Sequence, residues 1–299
     1  MIFSRIARKI RQIADILNGT DAQLKSDPFG RQAALMQAYY RDWLLLNHPR
    51  YRDPRCLTPF GYSVYSQTDE DGIIHEILSR LSLSTGTFVE FGVEDGMETN
   101  TSALLQAGWS GLWLEANPNY VKRIQRTFAP QLTSGRLKVR EAFITAENIE
   151  ALFAECHVPT EPTLLVIDID GNDYWVWQAI HNYKPYVVVI EYVAEFGPSI
   201  EWVMPYDPQY RMSGTRYFGA SLKAYENLGR KKGYRLVGCN FYGTNAFFIR
   251  DDLPTDRFLA PFTAEMHWEP ARHRLRASSG WGKDPREFSA VLPLRHQGD

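Results

Sequence analysis

Three cysteines in 299 residues (Cys56, Cys156 and Cys239), widely separated and with no Cys-x-x-Cys pair, leave nothing for a disulfide framework or a zinc cluster. Such cysteine usage fits a reducing compartment, and a cytoplasmic location is expected. An excess of one charge is missing too. The 33 Lys and Arg nearly balance the 35 Asp and Glu, which argues against a nucleic-acid binder held by electrostatics. No apolar run reaches the length of about 18 residues that a membrane-spanning helix needs. The first residues lack the apolar stretch of a signal peptide. There is no P-loop, no G-x-S-x-G, no H-E-x-x-H and no G-x-G-x-x-G. Repeats and low-complexity tracts are absent as well.

Aromatic residues, in contrast, are plentiful at 13%, with 8 Trp and 16 Tyr. Flat amphipathic side chains suit sugar-like or planar ligands, and they suit a core equally well. At the start of the chain Ile2, Ile6, Ile10, Ile13 and Leu17 recur at helical spacing, with Arg5, Arg8, Lys9 and Arg11 between them. This pattern predicts a basic amphipathic helix that packs on its own domain or on a dimer mate, or lies on an anionic membrane surface. A second helical pattern covers residues 21–46, interrupted near Pro28-Phe29-Gly30 and stopped at His48-Pro49.

From residue 66 apolar helices and strands alternate. Helical patterns are expected near 70–81, 99–107, 118–128, 146–155, 174–181 and 220–232. Strands are expected at 87–92, 111–115, 137–143, 163–168, 186–191, 235–239 and 245–249. Continuous apolar strands between helices mean a parallel sheet buried on both faces. The fold class is therefore α/β: a Rossmann-like, doubly wound, seven-stranded sheet, mostly parallel, whose last strand follows a short turn and is antiparallel. Residues 1–60 read as a helical extension, 61–252 as the sheet domain and 253–299 as an irregular extension. The Pro-rich stretch 193–218 between the fifth strand and the following helix is long for a connection, and such loops are commonly functional.

In doubly wound sheets ligands bind beyond the carboxyl ends of the strands, where strand order reverses. That rule directs attention to the residues ending each strand. After the first comes Glu90-Phe91-Gly92-Val93-Glu94-Asp95-Gly96. Gly92 and Gly96 permit a tight turn and close approach of a ligand. The acids would repel a pyrophosphate and attract a cation such as a sulfonium. Glu115 ends the second strand, 23 positions beyond Gly92, where an acid can accept hydrogen bonds from ribose hydroxyls. After the fourth comes Asp168-Ile169-Asp170-Gly171-Asn172-Asp173. Three carboxylates so close need a neutralising partner, and oxygen ligands suit Mg²⁺, Mn²⁺ or Ca²⁺. An EF-hand is excluded, because its twelfth position is Ala179 and a strand precedes it. A plainer reading has Asp170 capping a helix and Asp173 facing water. Glu191 ends the fifth strand, next to Asp168 in a parallel sheet, where the two would share one ion, or either would serve as a general base. None of His75, His181, His267 and His273 falls in a catalytic pattern.

Taken in order, Ser66-Gln67-x-x-Glu70-Asp71-Gly72-Ile73-Ile74, Val89-Glu90-Phe91-Gly92, Leu114-Glu115 and Ile167-Asp168-Ile169-Asp170-Gly171 resemble class I S-adenosylmethionine-dependent methyltransferases, nearest to the FkbM-like family. The Asp168, Asp170, Tyr174 and Glu191 pattern is also similar to macrocin-type, metal-dependent sugar O-methyltransferases. The resemblance spans about residues 62–250. It implies an O-methyltransferase that modifies a hydroxyl of a sugar or glycan with S-adenosyl-L-methionine. By that resemblance Glu90, Gly92, Gly96, Glu115, Ala142, Phe143 and Asp168 face the cofactor. Asp168 is the catalytic residue, and Asp168, Asp170 and Glu191 hold a divalent metal (Mg or Mn). The sequence departs from the pattern in two places: the glycine turn lacks its middle glycine, and Glu191-Tyr192 stands where an Asp-Asp pair is usual. Tyr192, Tyr206, Arg211 and Arg216, on or beside the Pro-rich stretch, are expected at the acceptor. No nucleic-acid partner is expected. The N-terminal segment is expected to make a peripheral membrane or homo-oligomer contact. Two competing readings are a nicotinamide-dependent oxidoreductase, disfavoured by the acidic turn, and a non-catalytic or glycan-binding partner of the same fold.

Overall fold

The computed structural model describes residues 28–212, 214–215 and 217–272. The expected helix over residues 1–18, the tail beyond residue 272 and Arg216 lie outside the described residues. The chain divides after Arg52 into two compact units. In the first, helix α1 runs Pro28–Asn47 and is followed by a 3-10 turn, Pro49–Tyr51. Pro28-Phe29-Gly30 does not interrupt this helix. It forms its first turn, where proline's missing N–H costs nothing. No described helix is long and apolar enough to cross a membrane.

The second unit carries α2 (Glu70–Arg80), β1 (Thr87–Phe91), α3 (Ser102–Gln106), β2 (Ser110–Glu115), α4 (Pro118–Thr127), α5 (Ala129–Thr133) and β3 (Leu137–Glu141). It continues with α6 (Ile149–Glu155), β4 (Leu164–Ile167), α7 (Asp173–Ala179), β5 (Val187–Glu191), α8 (Leu222–Lys232), β6 (Tyr234–Cys239), β7 (Asn245–Arg250) and α9 (Ala264–His267). The seven strands form one sheet in the order β3-β2-β1-β4-β5-β7-β6. All neighbours are parallel except at β7, which lies between β5 and β6 and runs antiparallel to both. The last strand is thus antiparallel, as its short turn implied, but it is interior, and β6 forms the edge.

The apolar strands alternate between two cores. Val89, Phe91, Leu165, Ile167, Val188 and Ile190 pack with Phe153 of α6, Trp177 of α7 and Tyr225 of α8. Phe88, Trp113, Leu164, Val166, Val187 and Val189 pack with Ile73, Ile74, Ile77 and Leu78 of α2 and with Leu105 of α3. Both faces are covered, which is why these strands read as unbroken apolar runs and not as alternating ones.

The unit starts earlier and ends later than the sequence spacing implied. Leu57 is in the second core, and the Thr58 hydroxyl donates to the Cys239 carbonyl at 3.3 Å. At the other end Phe258 is buried, and Tyr192 bonds to Glu269.

Candidate active site at the carboxyl rim of the sheet

Strand register sets the site. Glu90 pairs with Val166, Phe91 with Leu114, and Ile167 with Ile190. The residues just beyond, Gly92, Glu115, Asp168 and the final residue of β5, Glu191, therefore form one rim. Between β1 and β4 the strand order reverses, so the crevice of a doubly wound sheet opens between Gly92 and Asp168.

Gly92 has φ +66°, and a Cβ there would stand 1.9 Å from the Asp168 carbonyl oxygen. Only glycine lets the two loops approach this closely. The turn then closes through Gly96, whose amide donates to the Val93 carbonyl at 2.8 Å. Gly96 has φ +82° and lies against the Trp113 and Phe128 rings.

Glu90 is buried, and its carboxylate accepts from the Asn100 amide (2.8 Å), the Thr101 amide (3.1 Å) and the Thr101 hydroxyl. Burial nonetheless pushes it up to about 7. Its visible work is to fasten the approach to α3 onto β1. Glu115 is buried as well. It accepts the Glu94 amide at 2.9 Å and the Asn117 amide at 2.7 Å, locking the first turn to the end of β2. Each of its oxygens retains a further acceptor lone pair. Desolvation raises its pKa.

Asp168, Asp170 and Glu191 each offer an oxygen, and the three oxygens lie within 4.8 Å of one another. Among the described residues this is the one cluster with the makings of a cation site. Glu191 Oε2 is buried with no hydrogen-bond partner. Burial first, then the neighbouring carboxylates, hold Asp168 and Glu191 well above the usual carboxylate range. Asp170 adopts φ +54°, and desolvation with the Asp173 charge raises it to about 6. The plainer reading fails for both outer acids. No side chain caps α7: Asp173 is buried in its first turn and accepts the Ile169 and Gly171 amides of the preceding loop at 2.8 Å each, while Asp170 is exposed.

The described residues of 193–220 form a strap with a small core of its own: Val193, Phe196, Trp202, Met204 and Phe218. It is pinned to the segment after β4. Trp175 Nε1 donates to the Met204 carbonyl (2.7 Å), Asn172 Nδ2 to the Asp207 carbonyl (2.7 Å), and the Gly219 amide to the Gly171 carbonyl (3.0 Å). Arg211 stacks its guanidinium 3.6 Å from the centre of the Phe143 ring, so an expected acceptor residue meets an expected cofactor residue. Beside it, the Ala142 amide donates to the Glu115 carbonyl at 2.9 Å.

Two expected acceptor residues are otherwise engaged. The Tyr206 hydroxyl donates to Glu147 Oε2 at 2.5 Å and accepts the Ala146 amide at 3.2 Å, tying the strap to the loop after β3. Tyr192 is buried, and its hydroxyl donates to the Glu269 carbonyl at 2.8 Å. Tyr192 therefore does not face the rim. It follows Glu191 directly, and successive residues of an extended chain point to opposite sides.

Sequence reasoning did not foresee the polar network behind the rim. Glu70 accepts from Thr68, Asn240, Thr244 and Asn245. Asn245 is also the register partner of Glu191. Asp71 Oδ2 gathers the amides of Val64, Tyr65 and Ser66 at 2.6, 2.6 and 3.0 Å. The acidic run 69–71 and its serine were visible in the sequence. Their partners, about 170 residues away for Glu70, were not.

Comparison with protein-family models finds no match, and comparison with curated proteins finds none. Among solved structures, the chain is similar to a candidate caffeoyl-CoA O-methyltransferase from Staphylococcus aureus (TM-score 0.45, 14% identity, 72% of this chain and 99% of that one). It is also similar to the N-terminal domain of EvdMO1 in the presence of SAH and D-fucose (TM-score 0.41, 12% identity, 73% and 95%). A third is a candidate sarcosine dimethylglycine methyltransferase from Galdieria sulphuraria (TM-score 0.36, 14% identity), where the match covers 55% of this chain and 60% of that one.

Proposed function

We propose that this protein is an S-adenosylmethionine-dependent O-methyltransferase acting on a hydroxyl of a sugar or glycan, assisted by Mg²⁺ or Mn²⁺. The observation that carries the reading is the rim itself: an acid-lined crevice at the strand-order reversal, where Asp168 touches the Gly92 turn on one side and Glu191 on the other. Its excess of negative charge suits a sulfonium donor and repels a pyrophosphate.

The donor is a second substrate, and it supplies the methyl group. Gly92 and Gly96 shape the turn that receives its cationic end. Glu115, fixed by two backbone amides, offers its remaining lone pairs to the ribose hydroxyls. Ala142 and Phe143 flank the base, and Arg211 closes over Phe143.

The buried, donor-less Glu191 Oε2 supports a cation site, because an unpaired buried carboxylate oxygen is costly unless a positive group completes it. Asp168, Asp170 and Glu191 are all oxygen ligands, the set that hard divalent cations prefer. A cation held there supplies positive charge that lowers the pKa of an acceptor hydroxyl. The chain's own part is to hold the acceptor hydroxyl against Asp168; without a cation, Asp168 or Glu191 would serve as the general base. The O–C bond forms, the S–C bond breaks, and in that case the hydroxyl proton passes to the carboxylate.

The deciding experiment pairs calorimetry with a labelled methyl-transfer assay against glycan acceptors. S-adenosylmethionine should bind where NAD does not, and label should appear on an acceptor oxygen. NAD binding would transfer the reading to an oxidoreductase, and binding of neither would leave a non-catalytic subunit.

A further inference from the structure

Helix α1 carries an apolar face that is exposed among the described residues. Met36, Tyr39, Tyr40, Trp43 and Leu46 are each between 47% and 77% exposed. At about 100° per residue they fall within an arc of roughly 120°. Three of the five are Tyr or Trp, the residues that favour a surface apolar on one side and wet on the other.

The charge of the same unit identifies the other surface. Residues 1–52 hold nine Lys and Arg against four Asp and no Glu, a net charge of +5. The whole chain is at −2, so the remainder stands at −7. The basic excess is densest just before α1, where Arg5, Arg8, Lys9 and Arg11 alternate with Ile2, Ile6, Ile10, Ile13 and Leu17 without an acid before Asp15. The sequence spacing of those apolar residues is helical, with the cations between them. A second copy docked through the same segment would bring a second +5 against the first. A surface of opposite sign does not incur that repulsion.

We infer that the exposed aromatic face of α1, together with the basic segment that precedes it in sequence, docks this protein on an anionic lipid surface. The aromatic residues would enter the headgroup layer, and the cations would meet the lipid phosphates. This goes beyond the methyl-transfer reading and stands or falls separately from it.

The test uses the full chain and vesicles of phosphatidylcholine, with or without about one third phosphatidylserine. The chain should sediment with the anionic vesicles on the order of a hundredfold more strongly than with the neutral ones. Added salt should release it. Arg8→Glu with Lys9→Glu should remove the anionic preference. Tyr40→Asp with Trp43→Asp should weaken binding at least tenfold while leaving the far-ultraviolet circular dichroism unchanged. Equal binding to both vesicles, or none to either, overturns the proposal. It also fails if the α1 substitutions leave vesicle binding intact, or if they only convert a dimer to a monomer in sedimentation velocity.

Discussion

The carboxylate trio makes a quantitative demand on the metal-free protein. Asp168 and Glu191 are held above the normal carboxylate range chiefly by burial and then by neighbouring carboxylates, Asp170 first for Asp168 and Asp168 first for Glu191. A divalent cation should relieve both effects, and it must displace protons to do so. Mg²⁺ or Mn²⁺ at about 100 times its dissociation constant should stabilise the fold by about 2.7 kcal/mol. At about 2–4 °C per kcal/mol for a domain of this size, the midpoint should rise by roughly 5–10 °C. The assay is thermal unfolding of chelator-treated protein with and without each cation. The shift should grow from about pH 6 to about pH 8, because fewer protons then compete for the carboxylates. Asp168→Asn and Glu191→Gln keep the side-chain shape and remove a charge. Each should erase most of the shift, yet raise the midpoint of the metal-free protein above pH 7, since one member of a repelling set is gone. A cation-induced rise of equal size in both variants would refute the assignment. So would a metal-free Asp168→Asn protein less stable than the parent.

A second expectation concerns pH alone. Glu90 and Asp69 are buried and raised to about 7, whereas in the unfolded chain they titrate near 4. The folded state therefore holds extra protons between these values. The stability is fully present below about pH 4 and is lost as pH rises through about 7, by an order of a few kcal/mol for the pair. Denaturant titrations of the metal-free protein at about pH 5 and about pH 8 check the sign, and a gain over that window would contradict it. Gly92→Ala should cost about 2–5 kcal/mol, from positive φ and the clash with the Asp168 carbonyl. Gly108→Ala, at φ +95° with open space around it, should cost about 1–2 kcal/mol. Equal losses by chemical denaturation would show that the approach at Gly92 is not tight. Tyr192→Phe should lose about 1 kcal/mol of stability and keep turnover, whereas Arg211→Ala should raise KM with kcat little changed. A Tyr192→Phe protein that folds but does not turn over would return that hydroxyl to the chemistry.

The strands were legible because burial on both sheet faces writes an unbroken apolar run into the chain, as in Leu164–Ile167 and Val187–Ile190. The rim was legible for the same reason: in a parallel sheet the first polar residue after each run lands at the same end. That is how Asp168 and Glu191 come together from positions 23 residues apart. What was hidden depends on contacts made far along the chain. The Tyr192 hydroxyl looked available until Glu269 met it. The bond of Tyr206 to Glu147 was equally hidden. Asp170 and Asp173 were misassigned because only the folded turn shows which carboxylate receives the Ile169 and Gly171 amides. Helix α5 went unread because Pro130 in its first turn resembles a stop, although a helix tolerates proline there.

The buried acceptors left without donors also fall in a pattern. Asp71 Oδ1, Glu191 Oε2 and Asn245 Oδ1 lack partners. Asn245 pairs with Glu191 across β5 and β7, and its amide nitrogen donates to Glu70, the neighbour of Asp71. Gln131 Oε1, Trp202 Nε1 and the Tyr225 hydroxyl lack partners as well, whereas the Asn240 side chain has six hydrogen-bond contacts. A native fold tolerates few unpaired buried acceptors, and each costs about 1–3 kcal/mol. Finding them next to three repelling carboxylates means that this end of the sheet is short of positive charge and of donors together. Stability alone would favour replacing such groups with apolar ones. Glu191 Oε2 among them belongs to the trio that the proposed cation would complete.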